Sequence, residues 1–497
     1  MIPSMNLATA FRASAETNRE KTAIFWGDFV YSYDHLNAQS DAVAHALKTR
    51  FGVVPGDRVA IWVQNCPEFI SAFFGIQKAG AVVTPINNFL KPDEVCFILG
   101  DAGCRVMITD STLGGAAPEI GEALPELETL TIEEFGELPV PADSGGVVDH
   151  REPTELAVII YTSGTTGRPK GAMLTHGNLL HNIESCRKIL EAEDYDRFVL
   201  LLPMFHSFML TVCNLLPLLI GGSIVLIRSL HPPKNVMLEI VRHKATILPA
   251  IPAFFRAMLH DSVPADIPLR AAVSGAAPLP VETLNVFSKK FPFPLIEGYG
   301  LSEASPVVSF NPLRGPWIAG SIGKPVPDVE VSVRNEAGEK LPDDEIGEIC
   351  VRGGNVMAGY WNNEEETKKA IREDWLYTGD IGYRRADGFA FITDRKKDML
   401  LVNGINVYPR EIEEVIYQIP GVKEAAVIGK EDPRRGEMPI AFVAPDEGVE
   451  LDEKVILAFL KEKLAAYKIP RKILMVDALP RNATGKILKT ELRNRNV

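Results

Sequence analysis

Between residues 20 and 110, short apolar runs alternate with stretches of helical period. Ile24 to Tyr31 reads as a hairpin turning at Gly27-Asp28, and Ser32 stands where it would cap a helix carrying Leu36, Val43, Ala44 and Leu47 on one face. Val59 to Val63, Ala81 to Thr84 and Val106 to Thr109 read as strands, separated by helices through Phe69 to Gln77 and Val95 to Leu99. This rhythm predicts βαβ units and a largely parallel sheet covered by helices. Gly114 to Val147, rich in Gly, Pro and acids, reads as a loose connection.

Leu156 to Tyr161 is an apolar run typical of a strand buried on both faces, and Leu179, Leu180, Ile183, Cys186, Ile189 and Leu190 recur at helical spacing. Between them lies Tyr-Thr-Ser-Gly-Thr-Thr-Gly-Arg-Pro-Lys-Gly, residues 161 to 171, which the pattern places as a loop from strand to helix. Its glycines allow a backbone curl with N–H groups turned inward, the hydroxyls add donors, and Lys170 supplies a mobile charge. That is a phosphate cradle, though not a Walker A loop: Gly164 and Gly167 are too close together, and Gly171 follows the lysine.

Further on, Leu200 to Phe208 leads an apolar strand to His206 between aromatics, and Leu210 to Ile227 reads as a buried helix, a Gly221-Gly222 turn and a buried strand. Ser274-Gly-Ala-Ala-Pro278 follows the strand Leu269 to Val273 with nothing larger than Ala or Pro, a backbone on which a planar ring could lie. In Glu297-Gly-Tyr-Gly-Leu-Ser-Glu303, glycines bracket Tyr299 and leave its ring free to stack, while Glu303 suits a hard cation such as Mg²⁺ shared with substrate phosphates. Gly320 to Phe391 breaks into short strands and turns, a small β subdomain that contains Asp380. The polar run Asp394 to Asp398 marks a boundary, and the tail reads as an α+β unit ending in Lys486 at a turn. Taken singly, each of these residues has a plainer reading: a packed His206, an ordinary turn at 274 to 278, a solvated Glu303, a turn-closing Asp380, a solvated Lys486.

A length of 497 residues fits about three ordinary domains, or one large α/β body with a smaller appendage. The hydrophobic fraction of 46% and charged fraction of 24% are those of a globular chain, and a net charge of −13 argues against a nucleic-acid partner. The six cysteines form no Cys-x-x-Cys pair, so neither a zinc site nor a disulfide framework is indicated. The N-terminus lacks the basic start and apolar core of a signal peptide, and the expected location is the cytoplasm. A homodimer and peripheral contact with the inner membrane face are left open.

These pieces, in this order and over essentially the whole chain, resemble the adenylate-forming enzymes: acyl-CoA synthetases, luciferases and peptide-synthetase adenylation domains. Residues 297 to 312 and 394 to 409 look most like those of bacterial long-chain fatty acid–CoA ligases. The resemblance implies a large N-terminal α/β body of parallel sheets covered by helices with a small β subdomain, residues 1–396, and a small mobile C-terminal α+β domain, residues 397–497. It further implies that Thr162, Ser163, Gly164, Thr165, Thr166, Gly167 and Lys170 hold the ATP phosphates. Gly275, Ala276, Ala277 and Tyr299 would surround adenine, Asp380 and Arg395 the ribose, and Gly300 would be part of the ATP site. Ser302 and Glu303 would meet the α-phosphate and Mg²⁺, Lys486 would reach the carboxylate and the α-phosphate, and His206 would be catalytic with Lys486, Glu303 and Lys170. Lys397 would be the hinge and Gly404 would turn toward a tunnel for coenzyme A.

Two positions depart from the pattern of relatives: Ser302 replaces a frequent Thr and keeps the hydroxyl, and Leu210 stands where some fatty-acid relatives place an aromatic gate. His206 occupies the place where amino-acid adenylation domains carry an Asp for the substrate ammonium, so an amino acid is not the expected substrate. The expectation is ATP-dependent activation of a medium- or long-chain fatty acid and thioester formation with coenzyme A. The alternatives are transfer to a carrier-protein thiol or other acceptor, an aromatic or short acid as substrate, and a nucleotide-dependent acyl-binding protein without catalysis.

Overall fold

The computed structural model describes residues 5–141, 150–162, 168–230, 234–260, 267–402, 405–432, 436–482 and 486–495. Its backbone is organised by two large sheets. In the seven-stranded one, Val82–Pro85, Arg58–Trp62, Cys104–Thr109 and Glu128–Thr131 run parallel, with Leu156–Thr162 parallel to Val82–Pro85 on the other side. In the nine-stranded one, the parallel core is Thr22–Trp26, Ser223–Leu226, Arg197–Leu200, Ile247–Ala250, Ala271–Ser274 and Leu295–Gly300. Helices fill the space against both sheets; Glu68–Lys78 is buried along nearly its whole length, with Phe69, Phe73 and Phe74 in the core. The expected α/β body of parallel sheets is what the chain builds.

Local chemistry decided the first elements as read. Gly27 takes a left-handed φ of 61° at the hairpin between Thr22–Trp26 and Phe29–Ser32, and the Ser32 hydroxyl accepts the His35 N–H at 3.1 Å to start the Tyr33–Thr49 helix. The stretch from Met209 to Leu226 forms a π-helical segment (Met209–Leu215), a helix (Leu216–Ile220), the Gly-Gly turn and a strand, all packed within the body. No described helix is long and apolar enough to cross a membrane.

Two expectations need correction. The loop from residue 161 to 171 joins strand to strand: Lys170–Thr175 pairs antiparallel with Leu156–Thr162, setting Thr162 opposite Lys170. The short apolar run Gly171 to Leu174 is long enough to complete a hairpin, and the helix begins only at His176, where the Thr175 side chain accepts the Asn178 N–H at 3.0 Å. The stretch from residue 114 is also more ordered than its composition suggests. A helix Ala117–Ala123 and the strand Glu128–Thr131 are pinned by buried Ile120 and Leu130.

A smaller antiparallel sheet follows, built from Val329–Arg334, Gly347–Gly353, Trp375–Arg384 and Ala390–Arg395. The last sheet combines Leu400–Val402, Ile405–Val407, Val422–Asp432, Gly436–Pro445 and Lys472–Met475 with the helices Pro409–Ile416 and Glu453–Lys463. Its core residues all come from position 400 onward. Asp394 ties it to the rest: one carboxylate oxygen accepts the Arg395 N–H at 2.7 Å and the other the Arg410 N–H at 2.9 Å.

Candidate active site

Strand register builds one wall of the cleft. Because Thr162 faces Lys170 across the hairpin, the Thr162 hydroxyl comes within 3.4 Å of Glu303 Oε1. The Tyr360 hydroxyl donates to the same oxygen at 2.9 Å, and Lys170 Nζ lies over the Tyr360 ring, 5.4 Å from its centroid. Burial and the adjoining Glu303 carboxylate keep the Tyr360 phenol protonated far above neutral pH. Lys170 itself is paired with the Glu366 carboxylate, whose second oxygen accepts Lys369 at 2.9 Å. The cradle residues Ser163, Gly164, Thr165, Thr166 and Gly167 lie outside the described residues.

Glu303 sits in the 3₁₀ turn Ser302–Ala304, just past the Leu295–Gly300 strand. Ser302 Oγ is 3.0 Å from Ser207 Oγ, which docks the His206 loop on this turn. His206 Nδ1 accepts the Phe208 N–H at 3.3 Å, and burial pushes the imidazole down to about 4. At neutral pH the ring is therefore uncharged with its proton on Nε2, a hydrogen-bond donor rather than a cation.

The second wall is backbone. Ala271–Ser274 delivers Gly275, where a Cβ would stand 3.1 Å from the Phe208 ring, then Ala276 at a left-handed φ of 66°, then Ala277. The loop is fastened by Glu297, whose Oε1 accepts the Leu279 N–H at 3.0 Å and whose burial pushes its carboxyl up to about 7. Gly300 is required where it stands, since a Cβ there would lie 2.1 Å from the Pro306 carbonyl oxygen. The Tyr299 hydroxyl donates to Asp380 Oδ2 at 2.5 Å, and Arg395 Nε lies 3.0 Å from Asp380 Oδ1. Asp380 and Arg395 are register partners on adjacent strands, so the smaller antiparallel sheet sets this pair by itself.

Lys486 arrives from the last sheet. Its backbone closes a turn with Asn482, and its half-buried ammonium faces Arg395, Asp380, Lys397 and Asp398. Burial, with the Arg395 and Lys397 charges, pushes it down to about 8 against the pull of the two carboxylates. The structure thus brings together Thr162, Lys170, His206, Gly275, Ala276, Ala277, Tyr299, Gly300, Ser302, Glu303, Asp380, Arg395, Lys397 and Lys486. Gly404 lies outside the described residues. Sequence reasoning missed Tyr360, Glu366 and the Ser207–Ser302 contact; all three pairings are made only across long stretches of chain, and no spacing announces them.

Among the described residues no cluster of three His, Cys, Asp or Glu side chains could cage a metal ion. Glu303 alone, with both described hydrogen bonds on Oε1, offers the donor set of a cation held by one carboxylate and substrate oxygens, which fits Mg²⁺.

A parallel α/β body, a smaller antiparallel sheet and a last sheet that delivers a lysine into their shared cleft define the architecture of adenylate-forming enzymes. The model of the AMP-binding enzyme family matches residues 11–361, and that of the AMP-binding enzyme C-terminal domain matches residues 411–486. The chain belongs to the AMP-binding enzyme family, and it is an acid–thiol ligase. It is 34% identical to a long-chain-fatty-acid–CoA ligase of Bacillus subtilis, over 99% of this chain and 94% of the relative. It is 35% identical to a feruloyl-CoA synthase of Amycolatopsis, over 97% of each. Among solved structures, ATP-bound MatB from Rhodopseudomonas palustris superposes with a TM-score of 0.91 at 33% identity, covering 98% of both chains. The apo form of that protein gives 0.81 at the same identity and coverage.

Proposed function

We propose that the enzyme activates a medium- or long-chain fatty acid with ATP and passes the acyl group to coenzyme A. The observation that carries the substrate class is the wall assembled by Ser207–Ser302, by the Thr211 hydroxyl on the Ser305 carbonyl at 2.9 Å, and by Gly275 N–H on the Ala250 carbonyl at 3.1 Å. The segments they join, residues 205–210, 250 and 304–308, hold Phe205, Phe208, Met209, Leu210, Ala250, Ala304, Val307 and Val308, all buried and apolar, and no Asp, Glu, Lys or Arg. A second charge on the substrate would lie there without a partner, at a cost of several kcal/mol.

In the first step a carboxylate oxygen attacks the α-phosphorus and pyrophosphate leaves, giving acyl-AMP. The loop from Thr162 to Lys170 would cradle the phosphates, Gly275 to Ala277 and the Tyr299 ring would hold adenine, and Asp380 with Arg395 would take the ribose hydroxyls. His206, neutral, would donate from Nε2, and Lys486 would bridge carboxylate and α-phosphate as charge develops. Glu303 would hold Mg²⁺, which would supply further neutralisation of the phosphates. In the second step the thiol sulfur attacks the acyl carbon and AMP leaves. Here the body of residues 397–497 would turn about Lys397, withdraw Lys486 and bring Gly404 beside a thiol tunnel. ATP-bound and acyl-CoA-forming relatives support both steps. The free cysteines fit a reducing cytoplasm.

The test is kcat/KM for straight-chain acids beside acetate, benzoate, ferulate and an amino acid. Each methylene entering an apolar tunnel gains up to about 0.8 kcal/mol, so kcat/KM should rise by up to about fourfold per methylene until the tunnel ends. A preference for ferulate or benzoate would move the enzyme to aromatic acids, and a preference for acetate would reject the apolar tunnel.

A further inference from the structure

The Pro252–His260 helix begins in the proposed acyl wall and then reaches outward. Arg256 Nη2 donates to both oxygens of Asp446, at 3.1 and 3.2 Å, and to the Val422 carbonyl. Val422 opens one strand of the last sheet and Asp446 follows the end of its antiparallel neighbour, so one guanidinium grips the same edge of both. The pair is partly exposed, the Arg256 side chain by 21% and the Asp446 side chain by 28%. Elsewhere on this seam Glu414 Oε2 accepts the Val281 N–H only at 3.5 Å, at the start of the Val281–Lys290 helix. Arg256 therefore makes a short, charge-assisted contact between the large body and the last sheet, separate from the Asp394–Arg410 and Arg410–Ile392 hydrogen bonds beside the boundary.

We infer that Arg256 is a positioning residue for acyl-AMP formation: through Asp446 and the Val422 carbonyl it holds the last sheet in the pose that presents Lys486, without touching substrate. The inference rests on the two-pose reading above. A contact made in one pose and lost in the other shifts their populations by its own free energy. A guanidinium suits the task because its planar fork serves a carboxylate and a carbonyl together, which an ammonium does less well.

The test compares two half-reactions in Arg256→Ala: pyrophosphate release from acid and ATP, and acyl-CoA formation from presynthesised acyl-AMP. Pyrophosphate release should fall by up to about fivefold, the range expected for losing a partly exposed ion pair, while acyl-CoA formation holds or rises. Arg256→Lys should fall between the two, and the exchanged pair Arg256→Asp with Asp446→Arg should recover part of the loss. Unchanged pyrophosphate release in Arg256→Ala, or an equal fall in both half-reactions with no recovery in the exchanged pair, overturns the inference. Lys486→Ala separates the two levels of the account. Equal loss of both half-reactions there removes the two-pose reading and this inference with it, whereas a selective loss there beside an unaffected Arg256→Ala removes this inference alone.

Discussion

The two lysines proposed to meet ATP are held in opposite ways. Lys170 belongs to a hairpin of the large body, lies over the Tyr360 ring and is paired with the Glu366 carboxylate. Lys486 comes with the last sheet, takes part in none of the described ion pairs, and is brought down to about 8 by burial and by the charges of Arg395 and Lys397, against the pull of Asp380 and Asp398. A charge that serves throughout the cycle can be built into one fold by strand register. In the proposed cycle Lys486 serves one step only, and it is carried by the unit proposed to turn.

The largest effect should come from removing the delivered charge. Lys486→Ala should lower pyrophosphate release from acid and ATP by on the order of a hundred- to a thousandfold, as expected for losing a group aimed at developing charge. Acyl-CoA formation from supplied acyl-AMP should survive, and single-turnover assays of each half-reaction measure the contrast. Next comes the fixed wall: Glu303→Gln should lower the rate and raise the Mg²⁺ concentration needed for half-activity by roughly ten- to a hundredfold. A Mg²⁺ titration with an unchanged midpoint would return Glu303 to a solvated loop carboxylate.

The pH profile sharpens the comparison further. Since Lys486 is lowered to about 8, its proton is present below that pH and lost above it, so kcat/KM for adenylation should decline as pH rises through about 8. The thioester half-reaction should not share that limb. The smallest effect concerns the fixed lysine. Its pair with Glu366 is partly exposed, so Glu366→Gln should change stability little, and it should lower KM for ATP by up to about fivefold, because phosphates no longer compete with a carboxylate for Lys170. A raised KM would show instead that Glu366 orients Lys170 for the nucleotide.

What could be read from sequence was local. The Ser32 cap, the Gly27 turn and the alternation of strands and helices follow from residues within a few positions of one another, and they stand in the structure as expected. The hairpin after Tyr161 was misread because a run as short as Gly171 to Leu174 has no decisive period; its pairing with Leu156–Thr162 across the loop settles its form. Parts of the proposed site, the 161–171 cradle, Tyr299 and Glu303, were legible in the residues themselves, and its assembly only through family resemblance. Tyr360 reaches Glu303 across 57 positions and Glu366 reaches Lys170 across 196, and nothing in local composition marks either pair. Arg256 is similar: its partner Asp446 lies 190 positions away.

The central claim is that a free acyl-AMP stage precedes the thiol, and one measurement addresses it directly. Enzyme in stoichiometric amount is mixed with a long-chain acid, ATP and Mg²⁺ without coenzyme A, quenched, and its products are identified by mass, then again after coenzyme A is added. The account predicts pyrophosphate and acyl-AMP in equal amounts before coenzyme A, and AMP with acyl-CoA after it. Formation of ADP and phosphate, or no pyrophosphate until coenzyme A is present, would contradict it.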